Sequence, residues 1–342
     1  MTEMRADLLS QPGSAAYRAA TAPHNATVVQ RPVMVAHPGR AEEVAQAVQW
    51  AAQRNLGVAV QASGHGAGAP IESDRVLVDT SGLNSVHIDA QARVAHVGAG
   101  ATWSAVNAVA ERGGLLGLAG SSPTVAVAGY TFGGGVGFLT RPHGMASSAL
   151  LAVDYVNGNG QIRRADEDAP NAVDREALWA FRGGGGVGLA TALTVELVAP
   201  QELWAGYQLW SIDALGPVVD AWVSAMGQIG DALSTSISVL HTPPGAPTFP
   251  RRCKVYRSCI WLSPHRWAPT RLVRCCAPCG WRRRQWWTAA GRPPTRPGLP
   301  RFTSTRPIRS PRWASADDWG PARRPWQLVC WTPRLQSTRR WR

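Results

Sequence analysis

The first 200 positions alternate between two hydrophobic periods, and the alternation predicts most of the elements. "PGRAEEVAQAVQWAAQRN" places Val44, Ala47, Val48, Ala51 and Ala52 on one face at helical spacing, with acids in its first turn. "LGVAVQASG" and "DRVLVDTSGL" are short apolar runs closed by glycine, and "ATVVQRPVMVA" is a strand interrupted by proline. "SVHIDAQARVAHVGAG" alternates about a short turn and predicts a hairpin. "ALLAVDYVNGNGQIRRAD" predicts another around Asn-Gly-Asn-Gly. "TWSAVNAVAERGG" and "DREALWAFRGGGG" predict helices stopped by glycines, and "GLATALTVELVAP" a buried strand. After residue 200, "AGYQLWSID", "ALGPVVDAWVSAMGQIG" and "STSISVLHT" predict strand, helix and strand. Hairpins mixed with helices, without regular βα alternation, point to an α+β fold over a doubly wound parallel sheet.

Composition divides the chain near residue 250. Residues 1–250 hold 13 Arg, no Lys and 20 acids, a net of −7; the remainder holds 22 basic residues and two acids, a net of +20, leaving +13 for the 342 residues. All six cysteines and ten of the sixteen tryptophans lie in that second part. Arg, Pro and Trp are what GC-rich codons give when read out of phase, so residues 251–342 are expected to be a frame-shifted, disordered basic tail. A basic, aromatic-rich tail also raises nucleic-acid binding as a rival function. However, "RRCKVYRSCIWLSPHRW" and "CCAPCGWRRRQWW" show no amphipathic period and no ordered basic face, which argues against a specific nucleic-acid partner. "CCAPC" has no second Cys pair at zinc spacing, so no metal site is expected. The start, MTEMRADLLSQPGS, has no signal-like apolar core and no window approaches membrane-spanning length. The expectation is a cytoplasmic protein without a membrane partner.

Glycine recurs at Gly64, Gly66 and Gly68, at Gly98 and Gly100, at Gly129, and at Gly133, Gly134, Gly135 and Gly137, mostly at ends of apolar strands. Such segments turn sharply and offer clustered backbone N–H groups to a phosphate. The absence of Lys before residue 250 excludes a P-loop, and "GGGVGFL" lies mid-chain without the βαβ frame of a nicotinamide site. The glycines therefore suggest a different, large phosphorylated cofactor. His65 stands alone among them, without a carboxylate in the four preceding residues.

"VQASGHGAGAP", "AGSSPTVAVAGYTFGGGVGFLTRPHG" and "LWAFRGGGGVGLATALTVEL" together resemble the FAD-binding domain of the vanillyl-alcohol-oxidase superfamily, in the berberine-bridge-enzyme-like branch. The resemblance implies a two-subdomain, PCMH-type FAD-binding domain over 27–200, after an N-terminal lead over 1–26. The start of a substrate domain (an antiparallel sheet with helices) would occupy 201–250. It implies FAD bonded covalently to His65. Ala62, Ser63, Gly64, Gly66 and Ala67 would line the diphosphate, with Ser122, Thr124, Gly129, Tyr130, Gly133, Gly134 and Val153 as further cofactor contacts. Ser122 stands where relatives often have a second flavin-linked cysteine; a serine hydroxyl is too weak a nucleophile, so one link is implied. Tyr130 stands where relatives often have histidine, and Gly186-Val187 where they show Asn-Phe. The implied reaction takes a hydride from an alcohol, sugar or amine carbon of a small-molecule substrate and passes two electrons to dioxygen, giving hydrogen peroxide. Tyr207 and His241 have no motif around them, and no catalytic base is assigned. If the tail is out of frame, the resemblance implies a chain that holds FAD but turns over poorly.

Overall fold

The computed structural model describes residues 4–184, 186–200, 203–210, 212–239 and 255–262. All belong to one compact unit, Met1–Arg312; a second, Trp313–Arg342, lies outside the described residues. In chain order the elements are β1 (Leu9–Ser10), α1 (Ala15–Ala20), β2 (Met34–Ala36), α2 (Ala41–Ala52), β3 (Gly57–Gln61), β4 (Arg75–Asp79), β5 (Val86–Asp89) and β6 (Val94–Gly98). Then come α3 (Trp103–Ala110), α4 (Val127–Phe132), α5 (Thr140–His143), β7 (Leu150–Val156), β8 (Ile162–Asp166), α6 (Ala172–Phe181) and β9 (Leu189–Glu196). The last are β10 (Leu203–Trp210), α7 (Leu215–Met226), β11 (Leu233–Val239) and β12 (Val255–Leu262).

Three sheets organise them. The first has the order β1-β2-β4-β3, with β2, β4 and β3 parallel and β1 antiparallel at its edge. The second is antiparallel, β5-β6-β9-β7-β8, and the third is β10-β12-β11. This mixture is the α+β arrangement that the patterning predicts. The first two sheets are two subdomains joined through α2. Val44, Ala45 and Val48 of that helix pack into the core of the five-stranded sheet, while Ala47 and Ala51 pack with Val76 and Val78 of the first. The helix starts where Glu43, in its first turn, accepts the Gly39 N–H at 2.9 Å and the Arg40 Nε–H at 2.9 Å. The Gly39 bond, followed by the Arg40 pairing, outweighs burial and holds the Glu43 carboxyl below its ordinary range.

The N-terminal lead is structured and packs on the first sheet. β1 pairs with β2, and Met4, Tyr17 and Ala20 are buried. The Tyr17 hydroxyl donates to Pro32 O at 2.7 Å. At the other end, Val255–Leu262 is the central strand of the third sheet, within the segment expected to be disordered. The rest of 251–342 lies outside the described residues, as do Cys275, Cys276 and Cys279.

α6 is fixed by a buried polar group. Asn171 caps it, its side-chain oxygen accepting the Asp174 N–H at 2.9 Å. The Asp174 carboxylate accepts two bonds from Arg163, both at 2.8 Å, one from Asn171 Nδ2 at 2.7 Å and one from the Tyr155 hydroxyl at 2.9 Å. The Arg163 bonds lead in lowering the Asp174 pKa from 3.8 to about 2, against the opposing effect of burial. A carboxyl depressed in the fold stabilises it above the unfolded pKa, and that contribution is lost as pH falls from near 4 through 2. The expected size is about 2 kcal/mol. Urea unfolding of the unmodified chain should weaken over that window, and Asp174→Asn should flatten the dependence; equal slopes would remove Asp174 from the acid response.

Candidate functional site

β3 ends at Gln61 and the chain turns through 62–68. Gly64 enters the left-handed region at φ +67°, and a Cβ there would lie 3.1 Å from Pro23 Cα and 3.2 Å from Gln61 Cδ. Only glycine meets both demands without strain. Its carbonyl accepts the N–H groups of His24 at 3.2 Å and Ala67 at 3.4 Å. The N–H groups of His65 and Gly66 have no protein acceptor among the described residues, and the space beside Gly66 is open. Amides left free in a glycine turn suit an anion such as a diphosphate.

The turn is docked on the second motif. Ser63 Oγ accepts the Ala126 N–H at 3.1 Å, just before α4. The half-buried His65 ring hydrogen-bonds through Nε2 to Thr124 Oγ1 at 2.9 Å, and Thr124 in turn to Ser122 Oγ at 3.2 Å. His24 stacks on the same ring, centroids 4.0 Å apart and planes 24° apart. Burial first, and then the His24 charge, lower the His65 pKa below its ordinary value. A neutral imidazole with one nitrogen anchored and the other a potential nucleophile suits attachment to an electrophilic carbon.

Tyr130, on α4, packs edge-on to Trp103 with centroids 5.8 Å apart. Its hydroxyl is buried without a partner, and burial pushes its pKa up to about 12. A buried hydroxyl of this kind calls for an acceptor that the described residues do not supply.

Most of these glycines also have a neighbour within the protein that a Cβ would meet. A Cβ at Gly120 would sit 2.9 Å from the Tyr130 ring, and one at Gly135 2.7 Å from it. At Gly137 it would meet the Ala119 carbonyl and, at 2.8 Å, the Tyr130 hydroxyl. Gly98 and Gly100 lie against the Leu83 and Thr80 carbonyls, and Gly134, at φ +97°, lies against Met145. Open space remains beside Gly66 and Gly129.

The structure thus brings together Ala62, Ser63, Gly64, His65, Gly66 and Ala67 with Ser122 and Thr124, and places Gly129 and Tyr130 on the adjoining helix. Gly133 and Gly134 follow at its end. Val153 lies on β7, apart from this group. Its side chain is fully buried in the core of the five-stranded sheet, on a strand flanked by β8 and β9. Tyr207 lies on β10 opposite Ser258, and His241 is outside the described residues. His24 was missed by sequence reasoning because 41 positions separate it from His65 and no pattern links the two. Among the described residues no group of metal-ligating side chains forms a cluster, and no helix is long and apolar enough to cross a membrane.

Residues 32–166 match the family model for an FAD binding domain. (R)-6-hydroxynicotine oxidase of Paenarthrobacter nicotinovorans is 30% identical over 217 residues, covering 62% of this chain and 46% of that protein. Reticuline oxidase of Eschscholzia californica is 30% identical over 220 residues, 63% of this chain and 37% of that one. The solved 6-hydroxy-D-nicotine oxidase of Arthrobacter nicotinovorans superposes with a TM-score of 0.68 at 25% identity, over 83% of this chain and 60% of that chain. The chain therefore spans less than half the length of the two curated relatives it matches here.

Proposed function

We propose that this chain, related through its FAD binding domain to the FAD-linked oxidases, is a cytoplasmic FAD-dependent oxidase of the berberine-bridge-enzyme-like branch. FAD is carried on a single covalent link to His65, and the substrate is a small molecule oxidised at an alcohol, sugar or amine carbon. The observation that carries this reading is the half-buried His65 held at 2.9 Å by Thr124 beside a glycine turn with free amides. Bound FAD supplies the chemistry of accepting a hydride and returning two electrons to dioxygen.

The protein's own residues then bind and orient. The His65 and Gly66 amides hold the diphosphate, Tyr130 gives its unpartnered hydroxyl to the ring system, and Ser122 steadies Thr124 without bonding to the flavin. The names of the two curated relatives support oxidase chemistry on a small molecule, and 6-hydroxynicotine and reticuline are reasonable first substrates. Nucleic-acid binding is not favoured by these relationships.

The reading is tested by mixing the yellow protein, without air, with 6-hydroxynicotine, reticuline, simple alcohols and oligosaccharides. One class should bleach the flavin, and admitting air should restore the colour with release of hydrogen peroxide. Recovery only with an artificial acceptor would make the protein a dehydrogenase, and a flavin bleached by none of them would contradict the proposal.

A further inference from the structure

The lead before the FAD binding domain touches the tether site at two points. Gln61 Nε2 donates to Ala20 O at 2.7 Å, and His24 N–H donates to Gly64 O at 3.2 Å, so the lead is pinned to both ends of the turn into His65. This pinning lays the His24 ring over the His65 ring, centroids 4.0 Å apart and nearly parallel. Two stacked imidazoles at that distance do not both carry a proton comfortably, because like charges so close repel. His65 is half-buried beneath the exposed His24 ring, and burial first, then His24, disfavour a charge on His65. Among the described residues, His24 is the titratable group that acts on His65, and the groups facing His65 from the other segment, Ser122 and Thr124, are neutral.

We propose that His24 is a positioning residue for the flavin tether: stacked on the His65 ring, it fixes the ring's orientation and disfavours a charge on it, so that His65 keeps the lone pair its bond needs in mildly acidic solution. The proposal rests on the reading of His65 as the tether. In that step a His65 ring nitrogen bonds to a methyl carbon of the isoalloxazine. One methyl C–H and the imidazole N–H are broken, their protons and the C–H electron pair leave the ring system reduced, and dioxygen reoxidises it with release of hydrogen peroxide. A protonated His65 has no lone pair for this bond.

The test uses the full chain, prepared without flavin, beside His24→Phe, which keeps a stacking ring and removes the titrating group. After FAD is added, flavin that survives acid precipitation is followed with time across pH. His24→Phe should attach flavin about threefold or more slowly at about pH 6 and at the unmodified rate at about pH 8. The His65 ring, followed by NMR in the flavin-free chains, should titrate at higher pH in the variant. An unchanged pH profile, or slowing by the same factor at every pH, overturns the proposal. If the unmodified chain takes no covalent flavin at any pH, the tether reading falls by itself, and the NMR titration decides the pair. A His65 titration unmoved by His24→Phe overturns it there too.

Discussion

Phe181→Ala should destabilise the fold by about 3–5 kcal/mol, the range for truncating a fully buried aromatic side chain. Phe181 closes α6 and is fully buried in the main core. Its ring lies 4.9 Å from Phe132 and 5.4 Å from Tyr155, the latter edge-on. Phe132 ends α4 immediately before Gly133, and Phe181 stands just before Gly183, so this aromatic contact sets the exits of two glycine-rich segments. Tyr155 also donates to Asp174, which couples the cluster to the polar anchor of α6. The cavity left by alanine should therefore loosen α4, which carries Tyr130, as well as lower stability. Urea unfolding with flavin retention measured on the same preparations checks both effects. A loss below about 1 kcal/mol would mean that the surrounding side chains close the cavity and that the cluster does not set the loops.

The fold was legible where one period persisted long enough to be read. The α2 stripe emerged as a helix with Val44, Ala47, Val48 and Ala51 buried and Ala52 exposed, and "VNGNGQ" emerged as the β7–β8 turn. There Asn157 Oδ1 accepts the N–H groups of Asn159 and Gln161, both at 3.0 Å, and Gly160 takes φ +73°. Short elements were not legible. β1 has two residues and α1 six, and both depend on the sheet and core they join, with Tyr17 and Ala20 as the buried positions of α1. The helix α4 was hidden in "VAGYTF", where a glycine of low helix propensity stands mid-turn and tertiary contacts decide. Proline within "VVQRPVMVA" foreshadows how short the strand is, Met34–Ala36.

At the site, residue types were easier to read than partners. A histidine inside Ser-Gly-His-Gly marks a turn with free amides, but the sequence does not say that Thr124 would anchor its ring or that His24 would cover it. Both contacts depend on segments brought together by the sheets. The glycines carry a second physical reason that the sequence does not show. A missing Cβ reports that something lies close, and at Gly120, Gly135 and Gly137 that neighbour is Tyr130 of the same chain.

His65→Ala should abolish covalent flavin at this turn: Ser122 and Thr124 are weakly nucleophilic hydroxyls, the first 250 residues contain no cysteine, and the stacked imidazole of His24 lacks the Thr124 anchor that orients His65. The substitution should leave the fold intact, since His65 is only half-buried and its contacts are with two partly solvated side chains. FAD held by the turn's amides alone should then wash away on acid denaturation. The most direct measurement is a tryptic map of the unmodified chain after acid denaturation in the presence of excess flavin scavenger. Cleavage after Arg54 and Arg75 isolates His65 on the peptide 55–75, while Ser122 falls on a separate peptide beginning at Gly113. The account predicts the mass of FAD added to peptide 55–75 and to no other; an unmodified peptide 55–75, or flavin on the Ser122 peptide, would contradict it.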